Sequence, residues 1–441
     1  MNGIFFGIVL IGFLATAWRE LTLPVVEGAQ TPMAVLSSEM LAAASGAVEL
    51  AIGLVGVMTL FLGLMKVAEA GGMLVVIARL IRPLMTRLFP EVPPDHPAMG
   101  AMILNMSANA LGLGNAATPF GIRAMQELDK LNTRPGTATN SMALFLAINT
   151  SGVTLLPTGV IALRAAAGSS DPAGILPTTL FATLCATIAA ILAARVYQRF
   201  SPLGPPEASG PITATAPIEN TPASTDQPAD LPAGLPADSG AYPVWISILA
   251  LGGVVALIPA AILWGDRVSP WIVPSLMLGF LLFGVMRGVR VYEVFVEGAQ
   301  EGFQVALRII PYLVAILVAV AMFRASGAMD VLINLLGGFT SRVGLPAEAL
   351  PMALLRPLSG SGAYGVMASI INDPAIGPDS YVGYLVSTLQ GSTETTFYVL
   401  AVYFGAVRIR RIRHTLAAAL TADLVAVIAA VAACWFLFAG F

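Results

Sequence analysis

Long apolar runs separated by short polar punctuation make up most of the chain, and two of the runs are interrupted by polar residues at their middles. Residues 2–17, 45–67, 176–197, 242–263, 271–286 and 417–438 are nearly free of charge, and each predicts a membrane-spanning helix. The stretch 73–89 sets Arg79, Arg82 and Arg87 among aliphatic residues. That pattern predicts a helix at the membrane surface or against the bundle, its arginines snorkelling to headgroups. Other runs are less regular. Residues 104–121, LNMSANALGLGNAATPFG, pack Asn105, Ser107, Asn109, Asn115 and Thr118 among Gly112, Gly114 and Pro119. A re-entrant or broken helix is expected over 97–114 and a short amphipathic helix over 117–131. The run 137–163 is interrupted by Asn149-Thr150-Ser151-Gly152 and again at Pro157. In hydrocarbon every backbone polar group must be satisfied internally, so such segments belong where protein or a wet cavity surrounds them.

The pattern repeats. VEGAQ occurs at 26–30, where it reads as a polar connector, and again at 296–300, and the segments after each copy come in the same order. An apolar helix ends in Met65-Lys66 in one half and Phe323-Arg324 in the other. An amphipathic stretch succeeds it, 73–89 or the weaker 330–342, and then a Pro-flanked Gly/Ser-rich segment, 97–114 or 350–371. Setting Pro97 over Pro351 places Asn105 over Ser359 and Ser107 over Ser361. Asn149-Thr150-Ser151 then falls over Gln390-Gly391-Ser392, and the span 417–438 over 176–197. Between the halves, 201–240 holds nine prolines, five acids, no Lys or Arg and no aromatic residue, a composition that cannot bury enough apolar surface to fold. The expected organisation is a membrane half at 1–200, a disordered Pro/Ala-rich linker at 201–241 and a second half at 242–441. The fold class is an all-α polytopic membrane protein of two pseudo-symmetric repeats, each with one re-entrant or broken segment and one interrupted transmembrane helix. Whether the repeats are inverted or parallel is left open by the pattern. Paired, interrupted hydrophobic segments at matching positions of two halves point to a transporter's binding site near the midplane.

Composition agrees with that class. Of 441 residues, 57% are hydrophobic and 11% charged, with a mean hydropathy of +0.84, values typical of a polytopic membrane protein. A net charge of -3, with Lys and Arg beside apolar runs instead of on one face, excludes nucleic acid as a partner. Cys185 and Cys434 lie in apolar runs and read as buried small hydrophobes. His96 and His414 are far apart in sequence, so no metal site is expected. The first run has no positive residue ahead of it and Arg19 behind it, which predicts an uncleaved span in a cytoplasmic-type, inner membrane.

No catalytic constellation is present, so neither enzyme activity nor a cofactor is expected. GSGAYG at 360–365 follows an Arg-Pro break instead of a strand, which removes a nucleotide-binding reading. The candidates are hydrogen-bonding groups at the breaks: Asn105, Ser107, Asn109, Asn115, Thr118, Asn149, Thr150, Ser151, Ser359, Ser361, Gln390, Ser392, Thr393 and Thr395. Exposed N–H groups and carbonyls at helix ends would add anion- and cation-holding character. Glu394, an acid inside an apolar run, is a functional candidate by default, binding a coupling ion (Na+ or H+) or solute hydroxyls; its bland alternative is a helix cap. Arg356 either contacts an anionic solute or snorkels. Glu49 and Arg308, near the starts of corresponding helices, are expected to form a structural ion pair. The expected partners are a small polar solute and the bilayer, with a coupling cation and a homo-oligomer left open.

The residues also carry a family likeness. HPAMGAMILNMSANALGLGNAATPFGIRAMQELDKLN resembles the spore maturation A family. FVEGAQEGF, RIIPYLVAILVAVAMFRASGAMD, LRPLSGSGAYGVM and LQGSTETTFYVLAVYFG resemble the spore maturation B family. Both belong to the nucleoside-recognition, or Gate, group, so the chain resembles a fusion of the two. The group resembles part of concentrative nucleoside transporters, whose site is built from two re-entrant hairpins and two unwound helices. In endospore formers the family's role concerns dehydration of the spore core, through solute movement or cortex peptidoglycan. The leading expectation is therefore a secondary permease for a small polar or anionic solute, nucleoside-like or a carboxylate, working by alternating access. The alternative is a non-transporting membrane scaffold that regulates cell-envelope or spore-cortex maturation.

Overall fold

A computed structural model describes residues 2–22, 30–112, 114–202, 242–329, 331, 340 and 344–438. The expected linker and most of the stretch 330–342 lie outside them. Among the described residues the structure is helical apart from one bridge between Thr137 and Arg411.

Helix α1 is Asn2–Thr22. Helix α2, Pro32–Ala70, starts well before the residue 45 that the apolar pattern suggests. The reason is local: the Thr31 Oγ1 accepts from the Ala34 amide at 3.3 Å, and Pro32 fits the first helical position, where its missing N–H costs nothing. Helix α3, Met73–Leu88, is amphipathic as expected and buries Leu74, Ala78 and Met85. Helices α4, Pro97–Ala110, and α5, Gly114–Lys130, form a hairpin turning at Gly112. Asn105 and Ser107 therefore sit in regular helix, and the break lies later than expected. The interrupted run becomes α6, Asn140–Thr150, and α7, Thr158–Ala166, and α8 is Leu176–Tyr197.

In the second half, Val244–Met286 is one continuous helix, α9, where two spans were expected. Gly265, Asp266, Arg267 and Pro270 at the junction do not stop it. Helix α10, Val291–Ala325, contains the second VEGAQ copy as helix; its twin at 26–29, read as a connector, falls outside the described residues. Then come α11, Leu350–Leu355, α12, Gly360–Ile371, α13, Tyr381–Ser392, α14, Thr396–Ala406, and α15, Thr415–Phe438. Here the break is Thr393–Thr395, one step beyond the expected Gln390-Gly391-Ser392.

Among the described residues, four helices are long and apolar enough to cross a membrane: Phe5–Thr22, Pro32–Ala70, Leu176–Phe200 and Thr415–Phe438. Their outer faces are apolar, with Phe6, Trp18, Ile188, Leu192, Leu424 and Trp435 exposed, as a lipid-facing surface requires. The chain is a multi-pass membrane protein.

Close backbone approach fixes the helix directions. On α2 and α10, Gly302 lies against Thr59, Gly298 against Leu62, and Phe295 against Gly63, while Lys66 pairs with Glu301 at 2.9 Å and Glu297 at 3.8 Å. The numbering rises along one helix and falls along the other, so the pair is antiparallel. The same holds for α8 and α15. Tyr197 reaches Thr421 at 3.1 Å, and at the other end Thr178 and Cys434 share Thr388, at 2.7 and 3.4 Å. The two larger apolar cores form around these pairs. One gathers α7, α12 and α13 against α2, and the other gathers α4, α5, α6 and α14. Both helix breaks lie between them.

The ends of the interrupted helices are latched. Arg164, fully buried at the end of α7, donates to the Pro378 carbonyl at 2.6 Å and Asp379 Oδ1 at 3.0 Å, and lies over the Tyr384 ring. Arg413, after α14, donates to Asn140 Oδ1 and the Ala138 carbonyl at 3.0 Å, ahead of α6. Each latch joins the start of one broken helix to the end of the other. Burial pushes the Asp379 carboxyl up, but hydrogen bonds from Ser169 and Ser170 and the Arg164 charge outweigh it and hold the group below its usual range. Its stabilising contribution is therefore complete above the unfolded value of about 3.9 and is lost as pH falls through the folded one. Asp379→Asn is expected to lower the melting temperature by a few degrees at neutral pH, with the two proteins converging in strong acid. A gap that persists there would separate the latch from Asp379 ionisation.

Candidate functional site

A broken helix leaves backbone groups without partners, and buried ones must find them. Here each break is satisfied by the hairpin of its own half. The Leu155 amide donates to the Ala110 carbonyl at 2.9 Å, and the Phe397 amide to the Pro357 carbonyl at 3.1 Å. The breaks also bond to each other, through the Glu394 amide and Thr150 carbonyl at 2.8 Å. Several helix ends expected to face a solute are thus used within the protein. Ser359 caps α12 by accepting from the Gly362 amide at 3.0 Å.

Against this junction lies a cavity of about 380 Å³, within the range of small-molecule sites. Asn109 and Gly112 come to its wall from the first hairpin, Thr154, Pro157 and Gly159 from the first break, Arg356, Gly360 and Tyr364 from the second hairpin, and Gln390, Gly391 and Glu394 from the second break. Residues of α2 and α10 close it with Leu54, Met58, Leu313, Glu69 and Glu301.

Of the expected residues, Asn109, Arg356, Gln390 and Glu394 line this space. Asn149 supports it from behind: its Oδ1 accepts from Asn109 Nδ2 at 3.0 Å, and its Nδ2 donates to the Phe145 carbonyl at 2.9 Å. Thr395 supports it too, accepting from Arg356 Nη1 at 3.2 Å. The rest are placed elsewhere. Asn105 is buried and ties α4 to the Ala117 carbonyl and the Tyr403 hydroxyl, at 2.7 and 3.1 Å. Ser107, Thr150, Ser151 and Ser392 donate to carbonyls of their own helices. Thr393 is buried behind the break, Thr118 lies on α5 away from the wall, and Ser361 is exposed on α12. The side chains of Asn115 and Arg308 lie outside the described residues, and the ion pair expected between Arg308 and Glu49 with them.

Arg356 does not snorkel. It is 7% exposed, its Nη2 is 3.9 Å from Glu394 Oε2, and its Nε has no hydrogen-bond partner in the protein. Glu394 is about half exposed in the cavity and the cap of α14 is Thr395 instead. Gln390 Oε1 is likewise buried without a partner. The site thus offers a guanidinium, a carboxylate and an amide, with Tyr364 alongside, arranged around a space too small for anything but a small polar molecule. Glycines let the wall groups pack this closely: a Cβ at Gly159 would meet the Tyr364 hydroxyl at 2.6 Å, and one at Gly360 would meet Thr395 Oγ1 at 2.8 Å.

Tyr364, Glu69 and Glu301 are not among the expected residues. Glu69 carries a signal, an acid in an apolar stretch, whereas Glu301 is one of several polar residues around the second VEGAQ copy. Tyr364 belongs to the GSGAYG segment, whose lack of a preceding strand argues against nucleotide binding but not against a place in the wall.

The sequence signature described as nucleoside recognition, Gate, matches residues 51–167 and 306–410. These two stretches contain every residue named in the cavity wall except Glu301. Spore maturation protein B of Bacillus subtilis (strain 168) is 48% identical over 159 residues, 36% of this chain and 88% of that protein. Spore maturation protein A of the same organism is 48% identical over 154 residues, 35% of this chain and 79% of that protein. The two similarities fall on different parts of the chain. No solved structure matches.

Proposed function

The chain belongs to the nucleoside-recognition Gate family, and from that premise we propose that it is a secondary permease, not an enzyme, for a small polar or anionic solute in the cytoplasmic (inner) membrane. The observation that carries this reading is the convergence of both hairpins and both helix breaks on one cavity holding Arg356, Glu394, Gln390 and Asn109. Polar, discontinuous backbone at such a place has a purpose when a solute is bound there. A nucleoside fits by chemistry. Its ribose hydroxyls suit Glu394 and its base edge suits the paired donor and acceptor of Gln390, while a small carboxylate suits Arg356.

Alternating access needs two related halves and a route to each side. The antiparallel pairing of α2 with α10 and of α8 with α15 supports inverted repeats. A second crevice, of about 760 Å³, follows α2 and α10 beyond the cavity, lined by Glu39, Glu49, Arg324 and Asn372. Gly53, Ala166 and Leu317 line the crevice, whereas Leu54, Leu163 and Leu313 line the cavity. In this reading those three leucines are the apolar closure between the two spaces.

The test is uptake into proteoliposomes of labelled nucleosides and small carboxylates, paired with a thermal-shift screen of the same compounds, since a ligand of the folded state raises apparent stability. A saturable solute is expected, with Glu394→Gln and Asn109→Ala each losing most of its uptake while inserting normally. Full uptake in both variants, or no binding across a broad panel, would move the assignment to a membrane scaffold.

A further inference from the structure

Asp423 is the one acid in α15. It lies on the buried face beside Ala418, Ala419, Ala422 and Ala426, methyl groups that offer no hydrogen bond. Its carboxyl is 6% exposed. Oδ2 accepts from Thr396 Oγ1 at 2.7 Å, whereas Oδ1 is buried with no partner. Thr396 is the first residue of α14, next to the break that carries Glu394 and Thr395.

An ionised carboxylate held by a single hydrogen bond in such surroundings is costly, and membrane proteins retain such groups where they do work. Asp423 is joined to Arg356 through adjacent residues of the break, since Thr396 follows Thr395. That same guanidinium holds Thr395 at 3.2 Å and faces Glu394 at 3.9 Å. One guanidinium therefore faces the cavity carboxylate directly and reaches the carboxyl behind it through two adjacent threonines. Other titratable groups on the packed helices have their own engagements: Tyr197 with Thr421, Tyr384 with Arg164, and Tyr403 with Asn105. Cys185 on α8 is partly buried and Tyr398 on α14 is exposed, and α6 carries no titratable residue.

We propose that Asp423 is a proton-binding site coupled through Arg356 to the solute cavity. The carboxylate takes one H+ from water, the new O–H bond forming at the unpartnered Oδ1. The charge of the Arg356, Glu394 and Asp423 trio then rises from net negative to zero. With the proton in place Arg356 is free for Glu394 or an anionic solute; with the proton released it is drawn to Asp423. A proton on one side of the break thereby changes what the other side can hold, and the influence is reciprocal. The link to transport rests on the permease reading, but the proton site does not.

The test is infrared difference spectroscopy of the full-length protein in liposomes, titrated from acid to alkaline pH, with the proton as the only ligand. The unmodified protein is expected to show a protonated-carboxyl band that disappears as Asp423 ionises, absent in Asp423→Asn. Arg356→Met should move its midpoint up, since an opposite charge is lost. Glu394→Gln should move it down, because Arg356 is then left to Asp423. Thr396→Val removes the bond to Oδ2 without touching the acid and should raise the midpoint, so the proposal stays testable if Asp423→Asn does not fold. A band unchanged in Asp423→Asn, or a midpoint that ignores Arg356, Glu394 and Thr396 alike, would overturn it. None of these readings needs a solute, so a failed uptake screen and a failed proton site are told apart.

Discussion

Arg356→Met is expected to reduce uptake by roughly 100-fold, the effect of removing a buried, hydrogen-bonded charge from a binding contact, while the protein still inserts and folds. The asymmetry comes from where its neighbours stand. Glu394 is about half exposed, so it is not left as an uncompensated buried charge when the guanidinium goes, and Thr395 loses only one neutral contact. The loss therefore falls on the ligand side. Arg356→Lys should recover little, because an ammonium cannot hold Thr395 with one nitrogen and present another donor to a solute in the same plane. The check is uptake in proteoliposomes for whichever screened solute the unmodified protein carries, with size-exclusion profiles run alongside. Near-normal uptake by the Met variant would remove the cavity from the transport path.

The second large effect concerns folding. At Gly112 the backbone has φ of 77°, and an added Cβ would lie 2.3 Å from the Leu156 carbonyl oxygen. Left-handed backbone alone costs a side chain about 1–2 kcal/mol. The obstruction here is backbone of the first break, which cannot rotate aside, and that break is bonded to the hairpin through Leu155 and Ala110. Gly112→Ala is expected to lose roughly 3 kcal/mol or more and to yield little folded protein. Gly72→Ala is the matched control: its φ is similar, at 82°, but an added Cβ has nothing within 4 Å. It should lose only the conformational cost. Thermal unfolding of both in the same detergent distinguishes obstruction from backbone strain, and equal losses would mean the close approach at Leu156 is relieved elsewhere.

Local chemistry made much of this fold legible. Asn149-Thr150-Ser151-Gly152 and Pro157 bracket the real interruption between α6 and α7, because hydrogen-bonding side chains and a missing N–H weaken a helix at the residues that carry them. Glu394 and Arg356 stand out because a charge in an apolar run is expensive wherever it ends up. Errors followed the same logic. Asn105 and Ser107 look like site residues by composition, yet α4 continues through them, since a helix carries Asn and Ser when a neighbour such as Tyr403 or a carbonyl one turn back receives their donors. Residues 264–270 look like a loop, yet α9 runs through them. Asp423 has a readable signal, one acid in an Ala-rich span, but its meaning depends on Thr396 and Arg356.

By itself the sequence determined the membrane class and the neighbourhoods in which helices break, both consequences of which groups a short stretch offers to lipid or to its own backbone. The tertiary structure decided that the paired helices run antiparallel, that both breaks and both hairpins share one cavity, and that Arg356 faces Glu394 there. Those facts depend on contacts between segments far apart in the chain, made where glycines let backbones approach, and hydropathy along a chain carries no record of distances across it.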